Sequence, residues 1–148
     1  MLISVVEVIM PQEVPHWAQG FVVGEGILDV CGVLYPYHIL GKNLTQLRYF
    51  LGFPKAEFLF VSEEVPAPFR DHVQRHEVNE FVCRAGQPGR CLASLKQELA
   101  EVPEAMLSDY IVFRREQYHG LVAYYADDQG LDDLKQEIAA SLAYLETL

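Results

Sequence analysis

Residues 68–85 read PFRDHVQRHEVNEFVCRA, and here the chain turns from strand-like to helical patterning. At about 100° per residue, Phe69 and Val73 set one apolar direction. His72, His76, Glu80 and Cys83 fall within about 60° of it, at helical spacing. Arg70, Asp71, Gln74 and Arg75 mostly point elsewhere, and Glu77 lies at the edge of the ladder. The stretch therefore predicts a helix stopping at Gly86, whose apolar face carries two imidazoles, a carboxylate and a thiol.

Upstream, the patterning is that of strands. Residues 2–9 are rich in β-branched side chains and predict a buried strand broken by Pro11 and Pro15. The apolar runs 21–23 and 27–35 are separated by Gly24-Glu25-Gly26, which predicts a hairpin or sharp bend at the glycines. Asn43 with Gln46 resembles a capping box, and Leu44, Leu47 and Leu51 at helical spacing predict a short helix ending at Gly52. Residues 56–61 predict a further strand.

Downstream, helices are expected over 91–101 and 104–126, the second with a weak point at Gly120. A last helix carries the stripe Leu131, Leu134, Ile138, Leu142 and Leu145. Strands first and helices after predict one α+β domain over residues 1–148. In it, a small antiparallel or mixed sheet packs against a C-terminal group of four to five helices.

A length of 148 residues suits one domain, and a composition 51% hydrophobic and 22% charged argues against disorder. The formal charge of −10, with no clustered Lys and Arg, argues against nucleic-acid binding, which relies on phosphate neutralisation. The charge is uneven. Residues 1–56 hold Glu7, Glu13, Glu25 and Asp29 against Lys42, Arg48 and Lys55, and the remaining acids follow. The first third is thus expected in the core or at a subunit contact. No apolar run approaches the ~20 residues that cross a bilayer, so no membrane association is expected. Cys31, Cys83 and Cys91 contain no CxxC and do not form a disulfide framework. A cytoplasmic protein is the expectation. The leucine stripe of the last helix predicts either packing on its own domain or the seam of a homodimer.

Two further helices aim polar groups inward. The second carries Cys91, Leu95, Leu99 and Val102, with Glu98 beside Cys91 on the wheel. The third carries Leu107, Ile111, Tyr118, Leu121 and Tyr125, with Arg114 in mid-stripe. Together these predict a polar pocket among helices built from His72, His76, Glu80, Cys83, Glu98, Tyr110, Arg114 and Tyr118.

Three chemistries fit such a pocket. The first is a buried network that only fixes helix packing in a binding or accessory module, with Arg114 paired to Glu80 or Glu98. The second is a metal-dependent, hydrolase-like site. There His72, His76 and Glu80 would hold Zn²⁺, Glu77 would be the general base, and Arg114 would stabilise an anion. The run His76-Glu77-Val78-Asn79-Glu80 is similar to the HExxH motif of zincins, with Glu in place of the second His. That likeness covers five residues and identifies no family. The third is a metal-free pocket for an unidentified small molecule, with Arg114 anchoring a small anion.

Cys83 and Cys91 flank one short loop, and a soft-metal site with His76 is a further reading of them. Gly20, Gly24 and Gly26 form no dinucleotide fingerprint, and there is no GxSxG elbow.

Overall fold

A computed structural model describes residues 7–8, 13–45, 47–52 and 58–148. Among these residues, five strands form one mixed sheet: β1 (Glu7–Val8), β2 (Val22–Val30), β3 (Val33–Leu40), β4 (Leu51–Gly52) and β5 (Phe60–Ser62). The central strand is β3, antiparallel to β2 and parallel to β1 and β5, and β4 runs antiparallel to β5. Helices follow: α1 (Arg70–Val78), α2 (Arg90–Glu101), α3 (Glu104–Tyr125) and α4 (Asp132–Glu146). The α+β expectation is met, with a mixed sheet first and the helices after it.

The β2–β3 hairpin turns at Cys31-Gly32, not at Gly24-Glu25-Gly26. Both turn residues have positive φ, 53° and 82°, as a type I′ loop demands. Asp29 Oδ1 accepts from the Gly32 N–H at 2.9 Å and closes the loop. The glycines lie inside β2 for a packing reason. A Cβ on Gly26 would come within 2.3 Å of the Tyr37 ring across the strand pair, so glycine makes room for that ring. Tyr37 then donates to Asp71 Oδ1 on α1 at 3.0 Å, which ties the sheet to the helices.

Cysteine at a left-handed position is strained, whereas asparagine tolerates it and favours this turn. Cys31 is exposed, so Cys31→Asn is expected to stabilise the fold by about 1 kcal/mol. The check is a higher urea midpoint at unchanged slope. A lower midpoint would contradict this account of the turn.

The helix expected to end at Gly52 does not form. Thr45 Oγ1 accepts from Leu47 N at 2.9 Å and donates to Leu47 O at 3.2 Å. Such local bonds compete with helix. Leu44 and Leu47 instead pack on a small cluster of Ala18, Leu40, Phe50, Phe58 and Phe60, while Leu51 and Gly52 pair with β5. The strands expected over 2–9 and 56–61 lie partly outside the described residues. Within them, Glu7–Val8 and Phe60–Ser62 are strands.

Among the helices, α3 runs unbroken through Gly120. The α4 stripe faces its own domain: Ile138 and Leu145 are buried in the main core, with Leu134 and Leu142 packed against it. No helix among the described residues is long and apolar enough to cross a membrane.

The helix that opened the sequence reading is not uniform. After α1 the chain widens into a π turn, Asn79–Cys83, closed by Arg84 N–H to Asn79 O at 2.9 Å. A π turn advances fewer degrees per residue than an α turn. The side chains after Glu80 are therefore rotated away from where an ideal wheel puts them.

Candidate metal and ligand site

The polar groups of α1, α2 and α3 do meet, in a buried cluster centred on His76. Its side chain is 2% exposed and has carboxylates on both sides. Nε2 lies 2.9 Å from Glu80 Oε2, and Nδ1 lies 2.9 Å from Glu98 Oε1. The second contact is off the N–H axis, so it is a charge contact more than a straight hydrogen bond.

Glu98, wholly buried, is the hub of the outer layer. Arg114 approaches it with Nη2 at 2.9 Å and Nε at 2.8 Å, the first well aligned and the second not. The Tyr110 hydroxyl donates to Glu98 Oε2, and Arg114 Nη1 donates to Gln117 Oε1. Gln117 Nε2 continues the chain by donating to the carbonyl of Tyr49, just before β4, at 2.8 Å. A polar path thus runs from His76 through three helices to the sheet.

The third group beside His76 is Cys91. Its Sγ lies 3.7 Å from His76 Nε2 and 3.2 Å from the Tyr118 hydroxyl, and it accepts from Ser141 Oγ at 3.1 Å. Cys91 is held there by its backbone. The start of α2 has no side-chain cap of its own, and Glu137 of α4 supplies one, accepting from Gly89 N–H at 2.9 Å and Cys91 N–H at 3.3 Å. That carboxylate also suits the positive end of the helix.

Electrostatics follow the geometry. Burial disfavours the imidazolium, but the hydrogen bonds to Cys91 and Glu80 and the charge contact with Glu98 outweigh it and hold His76 well above its ordinary value. Burial would raise Glu98, but the Arg114 charge, with the bonds to His76 and Tyr110, keeps it below the usual carboxylate range. Burial pushes the Glu77 carboxyl up to about 7, helped by the Glu80 charge. Part of Glu77 nonetheless reaches the surface. Burial likewise lifts the Tyr110 and Tyr118 hydroxyls far above theirs, with the Glu98 charge adding to the first and Cys91 to the second.

His76, Glu80, Cys91, Arg114 and Tyr118 form one wall of a cavity of about 430 Å³, with Glu77 beside them. The rest of its lining is largely apolar and aromatic, including Phe50, Phe60, Phe81, Leu121, Leu134 and Ile138.

Two expected members stand outside the cluster. His72 sits one turn away, half-buried, its ring packed edge-on against Tyr110 at 5.7 Å. Its Nδ1 has no hydrogen-bond partner among the described residues. Cys83 is exposed, because the π turn rotates it off the ladder. Among the described residues, the trio that could hold a metal ion is therefore His76, Glu80 and Cys91, with donor atoms all within 4.8 Å of one another, and not His72, His76 and Glu80. Arg114 is placed as the counter-charge of Glu98 and stacks its guanidinium 5.0 Å over the Tyr118 ring. It is a strut of the cluster more than a free anion anchor. Gln117, Glu137 and Ser141 were not foreseen. Each acts through a neighbour on another helix, and sequence spacing carries no signal for that.

Comparison with protein-family models, curated proteins and solved structures finds no match to this chain. Fold and site by themselves define an α+β domain with a buried His/Glu/Cys group that could hold a metal ion at the wall of a largely apolar cavity.

Proposed function

We propose that this domain is a zinc-binding protein, with His76 Nε2, a Glu80 oxygen and Cys91 Sγ as ligands. The observation that carries the reading is that trio, with the buried Glu98 carboxylate on the other nitrogen of His76. A carboxylate behind a ligating imidazole fixes its tautomer and raises its basicity. The donor chemistry points the same way. Thiolate, imidazole and carboxylate together suit Zn²⁺, whereas Mg²⁺ and Ca²⁺ take oxygen ligands.

Distances support the reading as well. Zinc bonds of about 2.0–2.3 Å at tetrahedral angles put neighbouring donors roughly 3.3–3.8 Å apart. Here Nε2 is 2.9 Å from Glu80 Oε2 and 3.7 Å from Cys91 Sγ, close to that spacing, and all three donors lie within 4.8 Å of one another. Three unpaired cysteines fit a reducing compartment, and the cytoplasm is the place we assign. In this reading the domain serves as a binding module, with Arg114, Tyr110 and Gln117 organising the site from behind.

Full-length protein incubated with Zn²⁺ and dialysed is expected to retain about one ion per chain by elemental analysis. With Co²⁺ in its place, a thiolate-to-metal absorption band is expected. Cys91→Ser should abolish the band, His76→Ala should abolish uptake, and His72→Ala should change neither. Dialysed protein free of metal, or uptake indifferent to Cys91→Ser and His76→Ala, would overturn the proposal.

A further inference from the structure

We infer that the cavity beside the trio binds a small molecule with an apolar body and a single oxygen-donor head group, the head completing the coordination of the zinc ion. The inference rests on the zinc reading above and adds the ligand class. Three protein ligands leave one tetrahedral position, and in zinc proteins that position takes water or substrate. All three ligands belong to the cavity wall, so a molecule in the cavity stands beside the trio, within reach of that fourth position.

Apart from Glu77, Gln117, Glu137 and the hydroxyls of Tyr49 and Tyr125, the remaining lining is apolar and sets the nature of the body. Phe50, Phe60, Leu121, Leu134 and Ile138 offer no hydrogen bond, and the 430 Å³ volume lies within the range of small-molecule pockets. Side chains with no polar group reward an apolar body by the area it removes from water.

The head group is argued from charge and from one hydroxyl. Zinc with the Glu80 carboxylate and the Cys91 thiolate is neutral, and the Arg114 charge is already opposed by Glu98. Arg90 stands 3.7 Å from the Glu80 carboxylate but does not line the cavity, so among the described residues no lining side chain offers an uncompensated cation to a multiply charged anion. The Tyr118 hydroxyl, 3.2 Å from Sγ and 3.5 Å from Nε2, stands beside the coordination sphere, and its one proton would turn from the sulfur to the second oxygen of a head group. A single carbonyl- or carboxylate-type oxygen donor fits this setting.

Hydroxamic acids of increasing chain length are the probe, titrated calorimetrically into zinc-loaded full-length protein, with zinc content measured before and after. Affinity is expected to tighten by about fourfold per buried methylene until the chain fills the cavity. Leu121→Trp and Leu134→Phe both fill apolar wall and keep all three ligands. Each is expected to keep zinc stoichiometry and lose the chain-length gradient, and either variant suffices if the other does not fold. A gradient in the wild type that disappears in a filled variant supports the inference. Intact zinc uptake with equal affinity for acetohydroxamate and its longer homologues, or a gradient that survives filling, overturns it and leaves the zinc reading standing. No zinc uptake overturns both.

Discussion

Arg114→Met is expected to destabilise the fold by roughly 3–5 kcal/mol, because it leaves a wholly buried carboxylate without its main counter-charge. Glu98 has no solvent to turn to. After the substitution it would keep His76 and the Tyr110 hydroxyl, while Gln117 would lose the donor that holds its amide. Methionine keeps the unbranched apolar stem and most of the volume of arginine, so little of the loss comes from a cavity. The effect can be separated from packing by pairing the change with Glu98→Leu. Removing both charges together is often neutral or stabilising, so the double variant is expected to recover most of the loss. Urea denaturation of the wild type, both single variants and the double variant gives the coupling directly. A single variant as stable as the wild type would mean that the Arg114–Glu98 contact does not operate in solution.

Glu98→Gln is the second large effect, and it reads function where the first reads stability. The substitution keeps shape and removes charge. A glutamine cannot accept from Arg114, Tyr110 and His76 with both of its terminal atoms, because one of them is now a donor. If the amide NH₂ faces His76, it favours the tautomer with the proton on Nε2, and that nitrogen can then no longer ligate. If it faces Arg114, donor meets donor. Zinc affinity is expected to fall by about 10- to 100-fold, the usual cost of losing such a partner, with stoichiometry still near one. Competition against a chromophoric chelator measures it. Unchanged affinity would remove Glu98 from the site and leave it a purely structural group. Because stability also changes, the titration belongs at a temperature where circular dichroism shows each variant folded.

Much of this arrangement was legible along the chain. The switch from strand to helix patterning at residue 68 marks the division of the fold. The helical wheel brought His76, Glu80, Glu98, Tyr110, Arg114 and Tyr118 toward one region, because inward-facing polar groups on adjacent helices must find one another or lose free energy. What the wheel misplaced has a local cause. It assumes a constant advance per residue, and the π turn at Asn79–Cys83 breaks that assumption just where Cys83 was expected. His72 satisfied the wheel and still missed the trio, because a turn's rise along α1 sets it against Tyr110. The hairpin was misplaced for a related reason. Glycine marks turns by its conformational freedom, but Gly26 serves here by having no side chain, and the positive-φ residue beside Gly32 is a cysteine.

The third member of the trio divides the two levels of description most sharply. By itself, the sequence determined an acidic α+β domain and one helix bearing histidine and glutamate at i, i+4, since hydrophobic period and side-chain spacing are properties of a single segment. That Cys91 completes the trio was decided by the tertiary structure. Its position depends on how the loop after the π turn aims α2, on Glu137 reaching from α4 to cap that helix, and on Ser141 and Tyr118 bonding to its sulfur. Those contacts join residues 27 to 50 positions apart, and their geometry is set by the packing of helices, which no local pattern encodes.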